Sequence, residues 1–248
     1  MIIEYIQPKF TVIMPTAGRG KEILQRAVDS VHKQTYPNWE LLVVDDFSRP
    51  SAAEKLDTRQ DQRIITIRHG RHMQRLIARN TGLRHMNGDW VVFMDDDDEL
   101  LPNYLQVFND NIVKNSREKV FYAGAEFFCR KTGKFLRNLL AAPFPMSTVE
   151  GEVHAWFKSG RITTGQFIFH KDCLDKTGIY PDTNSYGEFA QLGGVPGYGD
   201  KEPNDRHDKP WVEVMGNPYG DDFWLMYKLT RDYYAVPIAE IVYKKWCR

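Results

Sequence analysis

The sequence predicts an α/β protein built on a mostly parallel sheet. In its first hundred residues, short apolar runs alternate with helical spacing patterns, the signature of strand–helix–strand units. The runs are apolar throughout rather than at every second residue, as strands covered on both faces are. They also end in polar residues, and in such sheets ligands bind beyond the carboxyl ends of the strands.

Phe10–Met14 is the first run, ending at Pro15 and Thr16 with Gly18 and Gly20 just after. Ile23, Ala27 and Val31 then recur at spacing four, with Leu24 and Val28 beside them, so a helix follows until Tyr36-Pro37-Asn38 breaks it. Leu41–Val44 is the second run and ends in Asp45-Asp46. Ile64–Ile67 is a third, Met73–Met86 reads as a helix, and Trp90–Met94 is a fourth run that ends in four aspartates, Asp95–Asp98. Pro102 suits the first turn of another helix, carried by Leu105, Phe108 and Ile112. Val120–Cys129 reads as a strand, and from about Lys131 the pattern loosens. Residues 182–218 are rich in Gly, Pro, Asn and Asp and read as a long loop, which in a compact domain tends to serve function. A helix over 223–231 and a strand over 236–243 close the chain.

The composition excludes several classes. Lys plus Arg and Asp plus Glu number 33 each, so the formal net charge is zero and the basic excess of a nucleic-acid-binding protein is missing. No stretch reaches the roughly 18–20 apolar residues of a membrane span. Cys129, Cys173 and Cys247 lack C-x-x-C spacing and fit idle thiols of a reducing compartment. A cytoplasmic protein is expected, with peripheral membrane contact open for the basic and aromatic stretch 243–248. Oligomeric state is left open.

The chemistry lies at the strand ends. Pro15-Thr16, Asp45-Asp46 and Asp95–Asp98 should face one crevice. Four clustered carboxylates repel unless a cation intervenes, and a hard divalent ion with oxygen ligands, Mg²⁺ or Mn²⁺, relieves that and bridges phosphates. If strand geometry continues, Asp95 and Asp97 point to one side and Asp96 and Asp98 to the other. Asp46 could accept from a base imide or a ribose hydroxyl. Arg75, Arg79 and Asn80, with Arg68, His69, Arg71 and His72, form a locally basic patch suited to a diphosphate or to a solvated helix face. Asp221-Asp222 opens the last predicted helix, as a cap or as a general base. Trp211, Tyr219, Phe223 and Trp224 could stack on a sugar ring or pack in the core.

Taken together, F-T-V-I-M-P-T-A-G at 10–18, A-V-D-S-V-H-K-Q at 27–34, W-E-L-L-V-V-D-D-F-S at 39–48, A-R-N-T-G-L at 78–83 and G-D-W-V-V-F-M-D-D-D-D at 88–98 resemble the family 2 glycosyltransferases of the GT-A fold. Thr164-Gly165, Lys171, Gly178 and G-D-D-F-W-L-M-Y-K at 220–228 resemble its later markers. The resemblance implies a single GT-A domain over 1–248. About 1–101 would form a Rossmann-like nucleotide-sugar-binding half and about 102–248 a smaller acceptor-binding half.

It further implies an inverting, metal-dependent transferase that takes a sugar from a nucleotide-sugar donor, most often a UDP-sugar, to a hydroxyl of a glycan or other acceptor. Asp46 would contact the base, with Pro15 and Thr16 lining its pocket. Asp95 would approach the ribose, Asp95 and Asp97 are the outer positions of the D-x-D motif around Asp96, and Asp97, together with Asp95, would bind Mn²⁺ or Mg²⁺ on the diphosphate. Arg75 and Arg79 would serve the donor. Asp222 matches the proposed catalytic base, although Asp221 stands where the family commonly has Glu. A sugar-phosphate nucleotidyltransferase, faintly echoed in Ala17-Gly18-Arg19-Gly20-Lys21, and a non-catalytic nucleotide-sugar-binding module are the competing readings.

Overall fold

A computed structural model describes residues 7–141, 163–179, 229–230 and 232–247. Among the described residues nine strands form one sheet, taken in chain order as β1 (Phe10–Thr16), β2 (Trp39–Asp45), β3 (Ile64–Arg68), β4 (Trp90–Phe93), β5 (Glu99–Leu100), β6 (Val120–Cys129), β7 (Phe135–Leu139), β8 (Phe167–His170) and β9 (Ala235–Cys247). Their spatial order is β3-β2-β1-β4-β8-β6-β9-β5, with β7 paired to β6. The first four strands are parallel, as expected. β6 and β9 are parallel too, whereas β8, β5 and β7 run antiparallel to their neighbours.

The core has two layers because the strands are apolar on both faces. Phe10, Val12, Met14, Leu41 and Val43 face α1 (Lys21–His32) and the Tyr104–Lys114 helix. Ile13, Leu42, Val44, Val91 and Phe93 face the Arg75–His85 helix. That second helix lies very close to β1: a Cβ on Gly82 would overlap the Ile13 side chain. The glycine of the A-R-N-T-G-L stretch is thus required by packing.

Beneath this layer a carboxylate ties strand ends together. Glu40 accepts from the Thr11 hydroxyl at 2.6 Å and from the backbone N–H of Asn87 and Gly88. Burial opposes its charge, but these hydrogen bonds outweigh burial and lower its pKa.

Several expectations need correction. Pro102 precedes its helix rather than opening it; the helix starts at Tyr104, and the Pro102 carbonyl accepts from Thr35 N–H at 2.9 Å. β9 begins at Ala235 and extends four residues past Tyr243, because it pairs with β6 as far as Cys129↔Cys247. The loosening near Lys131 conceals β7, a strand exposed along most of its length. Of the last predicted helix, 223–231, only 229 and 230 are described, and both are helical, as is 232 just beyond it. The 182–218 loop, Trp211, Tyr219, Phe223, Trp224 and the pair Asp221-Asp222 lie outside the described residues.

Candidate active site

The carboxyl ends of β1, β2 and β4 meet at one place. Thr16, the last residue of β1, donates its hydroxyl to Asp96 Oδ2 at 2.7 Å, and its carbonyl accepts from Asp46 N–H at 2.8 Å. Pro15 sits beside it, opposite Val44 of β2. The three strand ends expected to share a crevice are therefore joined directly by hydrogen bonds.

The two residues of the Asp45-Asp46 pair do different work. Asp45, fully buried, accepts from Ser48 N–H in the turn that follows it and from Ala52 N–H, the first residue of the short Ala52–Lys55 helix. Asp46 instead holds the entrance to the Arg75–His85 helix. Its carboxylate accepts from Met73 N–H at 2.7 Å and Gln74 N–H at 2.8 Å, and His69 Nδ1 lies 2.8 Å away. His72 Nδ1 is 2.9 Å from its other oxygen. The far nitrogen of His69 reaches the Thr81 hydroxyl at 2.9 Å.

The four aspartates do not alternate as a strand would. β4 ends at Phe93 and the chain turns, with Asp98 N–H donating to the Asp95 carbonyl at 3.2 Å. A turn brings its first and fourth residues together. Asp95 and Asp98 accordingly share one cation, Lys245, whose Nζ lies 2.8 Å from each. Asp96 and Asp97 share another, Arg19, whose Nη2 lies 2.6 Å from the first and 2.8 Å from the second. Arg130 adds a 2.6 Å contact to Asp97.

Arg79 reaches the same turn from beneath. It is completely buried, 3.5 Å from Asp95 Oδ1 and 3.3 Å from the Thr164 hydroxyl. Burial opposes the charge on Asp95, but Lys245, Arg75 and Arg79 prevail and hold its pKa well below the carboxylate range. Burial raises Asp98 to about 6, against the pull of Lys245 and the Tyr243 hydroxyl 2.6 Å away. Burial also raises Asp96, with Arg19 opposing.

Among the described residues, one group of three could hold a metal ion, Asp95, Asp97 and Asp98, with ligand oxygens within 4.8 Å of one another. An all-carboxylate oxygen set fits a hard divalent ion such as Mg²⁺ or Mn²⁺. Asp98 is the least available of the three, being fully buried and engaged by Lys245, Tyr243 and the Trp246 N–H. Asp97, held by the partly exposed Arg19 and Arg130, is the freer ligand.

Arg19, Arg130, Tyr243 and Lys245 were not anticipated as site residues. Arg19 stood only in the echo of another enzyme class, and the three others arrive through β6 and β9, so no local pattern announces them.

Residues 11–176 match the model of glycosyl transferase family 2. The chain belongs to that family. Relatives of the chain include UDP-Glc:alpha-D-GlcNAc-diphosphoundecaprenol beta-1,3-glucosyltransferase WfgD of Escherichia coli, 34% identical over 106 residues, which are 43% of this chain and 42% of that protein. The GalNAc(5)-diNAcBac-PP-undecaprenol beta-1,3-glucosyltransferase of Campylobacter jejuni is 29% identical over 178 residues, 64% of this chain and 55% of that one. Staphylococcus aureus TarS 1–349, solved in complex with UDP-GlcNAc, superposes with a TM-score of 0.59 at 17% identity, over 97% of this chain and 59% of that one. The fold is therefore GT-A. The chain spans about half the length of the relatives it matches. No helix among its described residues is long and apolar enough to cross a membrane.

Proposed function

We propose that this family 2 chain is an inverting, metal-dependent glycosyltransferase that moves a sugar from a UDP-sugar to a hydroxyl acceptor. The observation that carries the reading is the joining of Thr16, Asp46 and the Asp95–Asp98 turn at the carboxyl ends of three adjacent parallel strands. That is where an open α/β sheet binds nucleotides. A UDP-sugar is favoured because TarS was solved with UDP-GlcNAc and the E. coli relative is named for UDP-Glc. Both glucosyltransferase relatives are named for undecaprenol-diphosphate-linked acceptors, so a lipid-linked glycan on the cytoplasmic membrane surface is the acceptor class we favour.

Asp46 would receive the base, with Pro15 and Thr16 beside it. Asp95 would face the ribose, Asp97 would hold the cation against the diphosphate, and Arg75 and Arg79 would keep Asp95 ionised and in place. A bound Mg²⁺ or Mn²⁺ would supply positive charge for the departing nucleoside diphosphate. Asp222, or its neighbour Asp221, would take the acceptor hydroxyl proton. The acceptor oxygen then bonds to the anomeric carbon as the carbon–phosphate oxygen bond breaks, and UDP leaves with that electron pair.

The test is thermal unfolding against nucleoside diphosphates with and without Mn²⁺, followed by assay of nucleotide release. A ligand at 100 times its dissociation constant adds about 2.7 kcal/mol, and for this length each kcal/mol moves the midpoint by roughly 2–4 °C. Stabilisation by UDP that chelation abolishes is expected. Response to a nucleoside triphosphate alone, with pyrophosphate released, would mark the nucleotidyltransferase instead. Asp222→Asn should stop transfer and spare donor binding.

A further inference from the structure

Lys245 places an ammonium group inside the acidic turn from the far end of the chain. Its Nζ bridges Asp95 Oδ2 and Asp98 Oδ2 at 2.8 Å each. A lysine ammonium is a compact point charge with three donors, which suits it to two carboxylates at once.

Its freedom differs from that of the other cations. Arg19 and Arg130 reach Asp97 on long side chains, Arg19 from a loop and Arg130 from the turn after β6. Lys245 sits within β9, where Phe127 pairs with it from β6 and the adjacent Lys244 pairs with Glu99 of β5. Its strand neighbours fasten the same spot: the Tyr243 hydroxyl and the Trp246 N–H both donate to Asp98. Trp246 is itself held, with its indole N–H donated to Glu99 at 2.7 Å and the Arg26 guanidinium stacked on its ring. The lysine is thus fixed within a strand paired to β6, with its neighbour Lys244 paired to β5, whereas Arg19 lies in a loop and Arg130 follows the end of β6, tied to β9 by its N–H on the Cys247 carbonyl at 2.7 Å and its guanidinium on the Trp246 carbonyl at 2.9 Å.

We infer that Lys245 is a permanent built-in cation of the donor site. It fills the place between Asp95 and Asp98 that a metal ion would otherwise take, and leaves Asp97 to bind the exchangeable ion. Lys245 is a positioning residue: it holds Asp95 at the donor side of the turn and limits the cluster to one divalent ion. The inference rests on the donor-site reading of the cluster.

The test compares Mn²⁺ binding, by calorimetry and by loss of the free-ion paramagnetic resonance signal, with thermal midpoints. The proteins are the wild type, Lys245→Met, Lys245→Arg and the double variant Asp98→Asn/Lys245→Met, each without nucleotide. Lys245→Met should bind one Mn²⁺ more than the wild type. Its lowered midpoint should rise with Mn²⁺ and fall again with chelator. Lys245→Arg should behave as the wild type, and the double variant should lose the extra ion. Equal stoichiometry in Lys245→Met and the wild type, with no recovery by Mn²⁺, overturns the inference. Where the single variant does not fold without metal, the double variant must melt above it; if both stay unfolded or melt alike, the inference is also overturned. A wild type that ignores UDP with Mn²⁺ sinks the donor-site reading instead, whatever Lys245→Met does with Mn²⁺ alone.

Discussion

The backbone of Gly165 lies directly against the ring of Tyr243, so close that a Cβ on the glycine would overlap the ring. The Tyr243 hydroxyl, carried on one of the ring carbons that this Cβ would meet, donates to Asp98. The next residue upstream, Thr164, accepts from Arg79, which stands against Asp95. One short turn therefore steadies both ends of the aspartate loop. We expect Gly165→Ala to displace Tyr243 and cost about 1–3 kcal/mol, the usual price of overpacking. Tyr243→Phe, which strips a donor from a buried carboxylate, should cost a similar amount. Thermal unfolding checks both, and an unchanged midpoint for Gly165→Ala would show that the ring can move freely.

Asp46→Ala should release the segment it fastens. The amides of Met73 and Gln74 would then exchange with deuterium faster than in the wild type, with UDP binding weakened at least tenfold by the roughly 1.5–3 kcal/mol lost with a charged hydrogen bond. Hydrogen exchange and calorimetry read the two effects separately.

Arg130 competes for the carboxylate assigned to the exchangeable cation. Arg130→Met should raise Mn²⁺ affinity by roughly two- to fivefold, the range for a partly exposed ion pair of up to about 1 kcal/mol. Weaker Mn²⁺ binding in this variant would instead assign Arg130 to organising Asp97.

Glu40 gives the acid limb of stability a defined sign. Its folded pKa is below the ordinary glutamate value of 4.5, so its contribution is present above that value and disappears as pH falls through the folded value. Glu40→Gln should cost about 1.5–3 kcal/mol at neutral pH and flatten the loss of stability below pH about 4.5. Denaturant titrations across that window provide the measurement.

The three thiols should separate under alkylation at neutral pH. Hydrogen bonds from Thr132 lower the Cys129 thiol, whereas burial pushes Cys173 up to about 12 and also raises Cys247. The thiolate is the reactive form. Cys129 should react first and Cys173 only on unfolding, as peptide mapping would show.

The legible parts of this protein are those with a local cause. β1, β2 and β4 stand out because strands covered on both faces need unbroken apolar runs, and α1 because its buried face repeats every three or four residues. The polar strand ends follow from the same runs, which is why Thr16, Asp46 and Asp95–Asp98 could be grouped in advance. β7 escaped because an exposed strand has no apolar side to show, and β5 because it is two residues long. Lys245 and Arg130 escaped for a different reason. Their place in the site is set by β9 pairing between β5 and β6, which no window of neighbouring residues contains.

The 150 residues between Asp95 and Lys245 also set an order of events during synthesis. At about 5–20 residues per second, the lysine leaves the ribosome roughly 8–30 s after the aspartates. Through that interval the nascent chain carries four adjacent negative charges beside the apolar run of β4, without the ammonium that later joins two of them. Ions of the surrounding solution are then their only available partners from beyond the chain, and docking of β9 between β5 and β6 ends that exposure by exchanging solvent cations for one that cannot diffuse away.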